Sequence, residues 1–143
     1  MTAPSPGTGG ALHHLELWTG DLAAAAPAWD WLLTSLGWRG ERVEGWDRGR
    51  IWRHGDGAAQ VYLVLEQSPD LTGDRAERTA PGMNHLALRA DGAPLLDRLR
   101  AEGPAHGWTE LFAEAYPHAG GPGHTAWFAQ TAEGIEVEVV AGP

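Results

Sequence analysis

Alternating and helical spacings of apolar residues divide the first half of the chain into short elements. Apolar residues alternate over 12–18, which predicts a strand, and Asp21 just beyond it is a typical helix cap. Leucine and tryptophan then recur at helical spacing until Gly37, and Pro27 is predicted either to kink this helix or to mark its effective start. Three further strands are predicted at 39–44, 50–53 and 61–66. The first half is therefore predicted to be βαβββ.

The same order of patterns returns after a polar segment rich in proline and glycine, 68–81, which is predicted to be an exposed linker. A helix is predicted over 94–102, with proline in its first turn. The strands predicted around this helix are 83–89, 108–113, 125–130 and 135–140. The segment 116–124 is a glycine-rich loop that is able to approach a ligand closely. The second half is thus also predicted to be βαβββ.

Short sequence matches between the two halves support a duplication. They recur at spacings of 71, 70 and 72 residues, and three landmarks with nearly one spacing indicate two copies of one module. The matches are His14–Leu17 with His85–Leu88, Gly37–Trp38 with Gly107–Trp108, and Leu65–Glu66 with Val137–Glu138. We therefore expect a single domain over 11–143, with modules at 11–67 and 82–143 joined by the linker 68–81, after a disordered tail at 1–10.

Composition and charge narrow the range of partners and of chemistry. The 10 basic and 19 acidic residues give a formal charge of −9, which disfavours nucleic acid and anionic membranes as partners. The chain has no cysteine and its basic residues are all arginine, so thiolate nucleophiles, cysteine zinc sites and lysine Schiff bases are excluded. It shows neither an export signal nor an apolar run long enough to span a membrane, and we expect a cytoplasmic protein.

Strand alternation separates an apolar face from a polar face in each module. The apolar faces are expected to meet the two helices, which leaves histidine and glutamate on the second faces. These polar residues are His14, Glu16, Glu66, His85, Glu136 and Glu138. Such faces often meet solvent, but one His and one Glu from each repeat instead indicate a centre for a divalent ion such as Zn, Ni, Co, Mn or Fe(II). His14 is preferred to His13, because the alternative would turn Glu16 unpaired toward the helices.

Two βαβββ modules that each open with His-Leu-x-Leu, the second ending in Gly134-Ile-Glu-Val-Glu138, resemble the vicinal oxygen chelate superfamily. That superfamily includes glyoxalase I, bleomycin-resistance proteins, fosfomycin-resistance enzymes and extradiol dioxygenases. The resemblance implies an α+β fold in which the paired modules form a half-barrel sheet with helices on the convex face. It further implies a homodimer and a metal ion in the concave groove, with the site within one chain or between two. The implied metal ligands are His14, Glu66, His85 and Glu138.

A ligand set of two histidines and two glutamates is similar to that of glyoxalase I, whereas the iron dioxygenases and fosfomycin enzymes use two histidines and one glutamate. The resemblance therefore implies a metal-dependent lyase or isomerase that transfers a proton next to a metal-polarised carbonyl of a small molecule. Glu138 is the expected catalytic base and Glu66 its partner. Two alternatives stay open. One is an Fe(II) extradiol-type dioxygenase in which Glu66 is not a ligand, and the other is a metal-free protein that binds a drug or metabolite.

The remaining candidate residues are expected to line the substrate pocket. Trp18, Tyr62 and Arg89 lie on the polar strand faces, and Arg89 is the one cation found there, which favours a more apolar substrate than a glutathione adduct. Trp52 and Trp127 are weaker candidates, because most tryptophans of a small domain belong to its core. His124 is expected to be either an ordinary loop histidine or a group that bonds to a metal ligand or moves a proton.

Overall fold

The computed structural model describes residues 7 and 9–142, so most of the predicted tail at 1–10 lies outside the described residues. Two four-stranded sheets and two α-helices form an α+β fold of two paired βαβββ modules, as predicted, and the sheets do not close on each other. The first module contains β1 (His14–Trp18), α1 (Leu22–Ser35), β2 (Arg39–Glu41), β3 (Gly49–His54) and β4 (Val61–Glu66). The second contains β5 (Leu86–Ala90), α2 (Ala93–Glu102), β6 (Thr109–Leu111), β7 (Thr125–Gln130) and β8 (Glu136–Ala141).

The two sheets have the same topology. Their strand orders are β1-β4-β3-β2 and β5-β8-β7-β6, with the first pair of each sheet parallel and the other pairs antiparallel. Each helix contacts the inner strands of its own sheet, because it connects β1 or β5 to the rest of its module across the apolar face. The duplication inferred from short sequence matches is therefore a repeat of a whole supersecondary unit.

Helix α1 begins where its cap predicts, in spite of the proline within it. The side chain of Asp21 accepts a hydrogen bond from the backbone N–H of Ala24 at 3.1 Å, which satisfies one of the free donors of the first turn. Pro27 lies inside the helix and removes one backbone hydrogen bond. The helix continues through it because Trp29 and the leucines that follow are fully buried.

One hydrophobic core extends through both modules. Trp29 of α1 and Trp108 contact each other edge to face with ring centroids 5.1 Å apart, and Trp108 Nε1 donates a 3.0 Å hydrogen bond to the carbonyl of Ala28. Glu133 of the second module accepts hydrogen bonds from the Thr19 hydroxyl and from the backbone N–H of Gly20, the latter at 2.7 Å. The two modules of one chain are thus joined through α1 and the turn that precedes it.

The strand predictions agree with the structure to within a few residues, and those for 61–66 and 125–130 agree at both ends. Between Glu66 and Leu86, where an exposed linker is predicted, the structure has neither strand nor helix. No helix among residues 9–142 is long and apolar enough to cross a bilayer. The cytoplasmic location stays a prediction.

Candidate functional site

A buried carboxylate on β8 is bonded to two imidazoles in the second module. Glu138 is 7% exposed, and its Oε2 lies 3.0 Å from Nε2 of His85, the residue just before β5. Its other oxygen, Oε1, lies at hydrogen-bonding distance from Nε2 of His124, just before β7. His85 precedes β5, the parallel neighbour of β8, and His124 precedes β7, its antiparallel neighbour. Both contacts of Glu138 therefore require the assembled sheet. The structure therefore brings together three of the predicted site residues.

The candidate residues of the first module lie on the corresponding face of its sheet. The ring of His14 stacks on that of Tyr62, with centroids 4.7 Å apart and planes 4° from parallel. Trp18 is 42% exposed, and its Nε1 donates a 2.6 Å hydrogen bond to Oε2 of Glu16. All of these side chains belong to the polar face predicted from strand alternation. They form an accessible aromatic and acidic surface around His14.

Glu66 lies at the far end of this surface from His14. In the parallel pair of β1 and β4, His14 is opposite Tyr62 and Trp18 is opposite Glu66, so His14 and Glu66 are four positions apart along the strands. At about 3.3 Å per residue this is about 13 Å. The pKa of Glu66 is raised above its ordinary value by partial desolvation first, and then by hydrogen bonding and repulsion from Glu16. Glu66 therefore interacts with a second carboxylate, that of Glu16, and lies away from the candidate histidine of its own module.

By strand register, Val64 is the residue of the first module that corresponds to Glu138 of the second. Glu16 lies two residues after His14 and pairs with Val64 on β4. Ala87 lies two residues after His85 and pairs with Glu138 on β8. The histidines are 71 residues apart, whereas Val64 and Glu138 are 74 apart, because the second module has a longer connection between β6 and β7 than the first has between β2 and β3. The sequence match of Glu66 with Glu138 is therefore wrong by two positions.

Within the described part of one chain, the candidate residues of the first module and those of the second module do not contact each other's partners. The hydrogen bonds of Glu138 go to residues of the second module, and the charged neighbours of Glu66 are Glu16 and Arg48 of the first module and Asp70 of the linker. Within residues 9–142, no three His, Cys, Asp or Glu side chains are arranged as a cluster that is able to hold a metal ion. The four-ligand centre implied by the resemblance stays a prediction.

Comparison with known proteins assigns the family. The model of the glyoxalase/bleomycin resistance protein/dioxygenase superfamily matches residues 13–140. The chain belongs to this superfamily. An uncharacterized relative, YqjT of Bacillus subtilis (strain 168), is 33% identical over 131 residues, which cover 91% of this chain and 98% of YqjT.

Solved structures of the superfamily share the fold over almost the whole chain. A protein of Bacillus halodurans provisionally called a glyoxalase superposes with a TM-score of 0.84 at 34% identity, covering 94% of this chain and 98% of that one. The fosfomycin resistance protein FosX of Listeria monocytogenes, complexed with Mn(II) and sulfate, has a TM-score of 0.54 at 14% identity and covers 94% and 93% of the two chains. This second likeness shows that a chain with this fold holds a divalent ion.

The spacing of His85 and Glu138 is compatible with two ligands of one divalent ion, as well as with a hydrogen bond between them. Two ligand atoms that each lie about 2.1 Å from one ion at a right angle are about 3.0 Å apart. The Nε2 to Oε2 distance is 3.0 Å, and an imidazole with a carboxylate is a suitable donor set for Zn, Mn or Fe(II). The residues present in the second module therefore fit two adjacent positions around a divalent ion.

Sequence reasoning missed an aromatic and cationic cluster beside this pair. Phe128 on β7 contacts His85 edge to face at 6.2 Å and Phe112 at 5.5 Å, and Phe112 is 41% exposed. Phe112 has φ 57°, a left-handed conformation that is rare for an aromatic residue and is commonly retained near functional sites. The guanidinium of Arg78, from the linker, lies 5.9 Å from the Phe112 ring centroid. No sequence pattern predicts this cluster, because its members come from three separate segments of the chain.

Other predicted pocket residues divide between the surface and the core. Arg89 is exposed on β5, on the same face as His85. Trp52 and Trp127 are 2% and 0% exposed, so both belong to the core and neither lies on the polar face with the candidate ligands. A second cation, Arg53 on β3, lies on the polar face of the first module. Its guanidinium is 4.9 Å from the Tyr62 ring centroid. The expectation that Arg89 is the one cation on these faces is therefore wrong.

Proposed function

We propose that the protein is a metal-dependent lyase or isomerase. It would transfer a proton at the carbon atom next to a carbonyl group of a small molecule. The observation that carries the proposal is the Glu138 carboxylate, buried at 7% exposure and bonded through separate oxygens to His85 and His124. A carboxylate and an imidazole in direct contact are able to take up and pass on one proton, which is the minimum equipment of general acid–base catalysis. Glu138 is the proposed base and His124 its proton partner.

The proposed metal ligands are His14, His85 and Glu138. A divalent ion on these residues would act as a Lewis acid that polarises the substrate's carbonyl oxygen. Val64 stands where a fourth, carboxylate ligand would come from β4, so an ion held by the other three residues would keep positions for substrate oxygens. Glu66 is not a ligand in this proposal, and the partner role that sequence analysis assigned to it passes to His124.

The substrate is proposed to be small and partly aromatic or aliphatic. Phe112 and Trp18 are more than 40% exposed on the faces that carry the candidate ligands, and exposed aromatic side chains beside polar groups are typical of pockets for such ligands. Arg78 and Arg53 lie against aromatic rings and are each paired with a glutamate, which reduces the positive charge available to an anionic substrate. This surface favours an apolar carbonyl compound over a multiply charged adduct.

We further propose that the working form is a homodimer in which the first module of one chain faces the second module of another. Within one chain the modules are joined through α1 and the turn before it, and His14 and His85 remain exposed. A second copy placed against the exposed polar faces would bring a His14 to a His85 and Glu138 pair. Sedimentation velocity with and without a divalent ion tests this arrangement, because a site shared between chains makes the dimer more stable when the ion is bound.

A second candidate function is an Fe(II) dioxygenase, and the position of Val64 favours it. Two histidines and one glutamate form the facial set of ligands that non-haem iron oxygenases use with open positions. This ligand set does not by itself distinguish oxygen activation from proton transfer. The two proposals differ in what they consume, since the dioxygenase requires molecular oxygen and the isomerase does not.

The test begins with the metal content of protein purified without chelator, followed by titration of the metal-free protein with Mn(II), Zn(II) and Fe(II). Small aldehydes and ketones are then incubated with the loaded protein in deuterated water, and deuterium uptake at the carbon next to the carbonyl is followed together with oxygen consumption. Deuterium uptake that is lost in Glu138→Gln supports the isomerase or lyase. Oxygen consumption that depends on Fe(II) supports the dioxygenase instead. Absence of any bindable divalent ion contradicts both and leaves the metal-free binding protein.

A further inference from the structure

Asn84 contacts both the linker and the imidazole of His85. Its Nδ2 lies 3.0 Å from the backbone carbonyl oxygen of Arg78, and its Oδ1 lies 2.7 Å from Nδ1 of His85. A carbonyl oxygen only accepts, so the amide nitrogen must be the atom that faces Arg78. This contact fixes the orientation of the amide and leaves its oxygen toward His85.

The orientation of Asn84 determines which nitrogen of His85 carries the proton. Because Oδ1 of Asn84 is an acceptor, the Nδ1 atom of His85 has to be the donor of their hydrogen bond. A neutral imidazole has one N–H, so Nε2 then carries a lone pair, and this lone pair faces the carboxylate oxygen of Glu138 at 3.0 Å. Two acceptors at this distance are stable with a cation between them, which is either a second proton that makes His85 an imidazolium or a metal ion.

We propose that Asn84 is a positioning residue that holds His85 in the Nδ1–H tautomer, so that Nε2 and Glu138 together present lone pairs to a cation. This inference rests on the metal site of the proposed function. Without Asn84, the favoured tautomer of His85 would carry its proton on Nε2. Nε2 would then donate a hydrogen bond to Glu138 and would have no lone pair for a metal ion. A hydrogen bond to the remote nitrogen of a metal-binding histidine fixes its tautomer and orientation in this manner.

The first module has a related contact at the equivalent position. His13 precedes His14 as Asn84 precedes His85, and the two Nδ1 atoms of His13 and His14 are 2.9 Å apart. One of them must donate to the other, and the arrangement with His14 as donor gives His14 the same Nδ1–H tautomer as His85. The residue before each candidate ligand then holds its Nδ1, and both ligands present Nε2. His13 is assigned here to positioning and not to metal binding.

The tautomer is tested on the metal-free protein by long-range proton–nitrogen NMR of its histidines, above the pH range in which imidazoles titrate. Comparison with His85→Phe assigns the His85 signals. We expect a protonated Nδ1 and an unprotonated Nε2 in the wild type, and a shift of the proton toward Nε2 in Asn84→Ala. Asn84→Asp keeps an acceptor oxygen and is expected to keep the wild-type tautomer. An Nε2–H tautomer in the wild type, or no change in Asn84→Ala, overturns the proposal.

Metal affinity supplies a second readout with the same variants. Asn84→Ala is expected to bind Co(II) or Zn(II) about tenfold more weakly than the wild type, with Asn84→Asp close to the wild type. Equal affinities of Asn84→Ala and the wild type contradict the positioning role. If the wild type binds no metal, the proposed function fails, while the NMR result still decides the tautomer on its own.

His13 is tested with a substitution that copies the second module. His13→Asn supplies an amide oxygen to Nδ1 of His14 and is expected to bind metal as the wild type does, whereas His13→Ala is expected to bind more weakly. Circular dichroism confirms that both variants are folded. Loss of metal binding in His13→Asn while the protein stays folded would show that His13 is itself a ligand, contrary to the proposal.

Discussion

Arg78 forms an ion pair with Glu136, with Nε of Arg78 3.3 Å from Oε2 of Glu136. Glu136 is 2% exposed on β8, and Arg78 comes from the linker, 58 residues earlier in the chain. A buried carboxylate without a partner is costly, so this pair holds the linker against the second sheet. The linker is therefore part of the site, since Arg78 also supplies the carbonyl that orients Asn84.

Arg78→Met keeps most of the side chain's length but removes its charge, and it is expected to lower the free energy of unfolding by about 2 kcal/mol, because Glu136 then remains buried and unpaired. Urea unfolding followed by tryptophan fluorescence measures this. Arg78→Met combined with Glu136→Gln is the matched control, and it should be less destabilised than the sum of the two single variants. Strict additivity would show that the pair contributes nothing.

Val64→Glu places a carboxylate at the position that corresponds to Glu138. We expect it to bind a divalent ion about tenfold more tightly, or about 1.4 kcal/mol, because it adds a charged ligand beside His14. The metal-free variant should be less stable than the wild type, since Val64 is 7% exposed and an unpaired carboxylate is costly there. Thermal unfolding with and without Zn(II) measures both effects. Val64→Gln is the uncharged control, and equal metal affinity in the two variants would contradict the register argument.

Glu66→Gln is expected to stabilise the protein near neutral pH and to leave metal affinity unchanged. Folding raises the pKa of Glu66, so the folded protein is penalised when Glu66 is ionised, and this penalty appears as the pH rises through the raised pKa. Below the ordinary value of 4.5 the carboxyl is protonated in both states, and the advantage of Gln should disappear. Unfolding measured at several pH values tests the sign. An advantage that grows on acidification, or a loss of metal binding, would contradict the placement of Glu66.

Glu133→Ala removes the acceptor that connects the second module to the turn before α1. The Thr19 hydroxyl, in a residue that is 0% exposed, and the backbone N–H of Gly20 lose their partner, with an expected loss of about 2 kcal/mol. Glu133→Gln retains an acceptor oxygen and should lose about half as much. Chemical denaturation reports the change, and a wild-type midpoint in Glu133→Ala would show that this contact does not stabilise the pairing of the modules.

The strands, the helices and the face to which each candidate residue belongs were accessible from the sequence alone. Alternation along a strand and spacing along a helix are local properties, and the burial of Leu63 and Leu65 opposite Tyr62 follows from the period of two. His14, His85 and Glu138 were placed on polar faces for the same reason. The burial of Glu138 was not predicted, because it depends on neighbouring strands and the loops that cover them.

Register between distant strands and contacts across loops were decided by the tertiary structure. The pairing of Glu16 with Val64, which moves Glu66 out of the position of Glu138, depends on hydrogen bonds between segments almost 50 residues apart and on unequal connections in the two modules. The approach of His124 to Glu138 and of Arg78 to Glu136 likewise requires the folded sheet. Local periodicity thus determined which residues face the site, and long-range packing determined which of them meet.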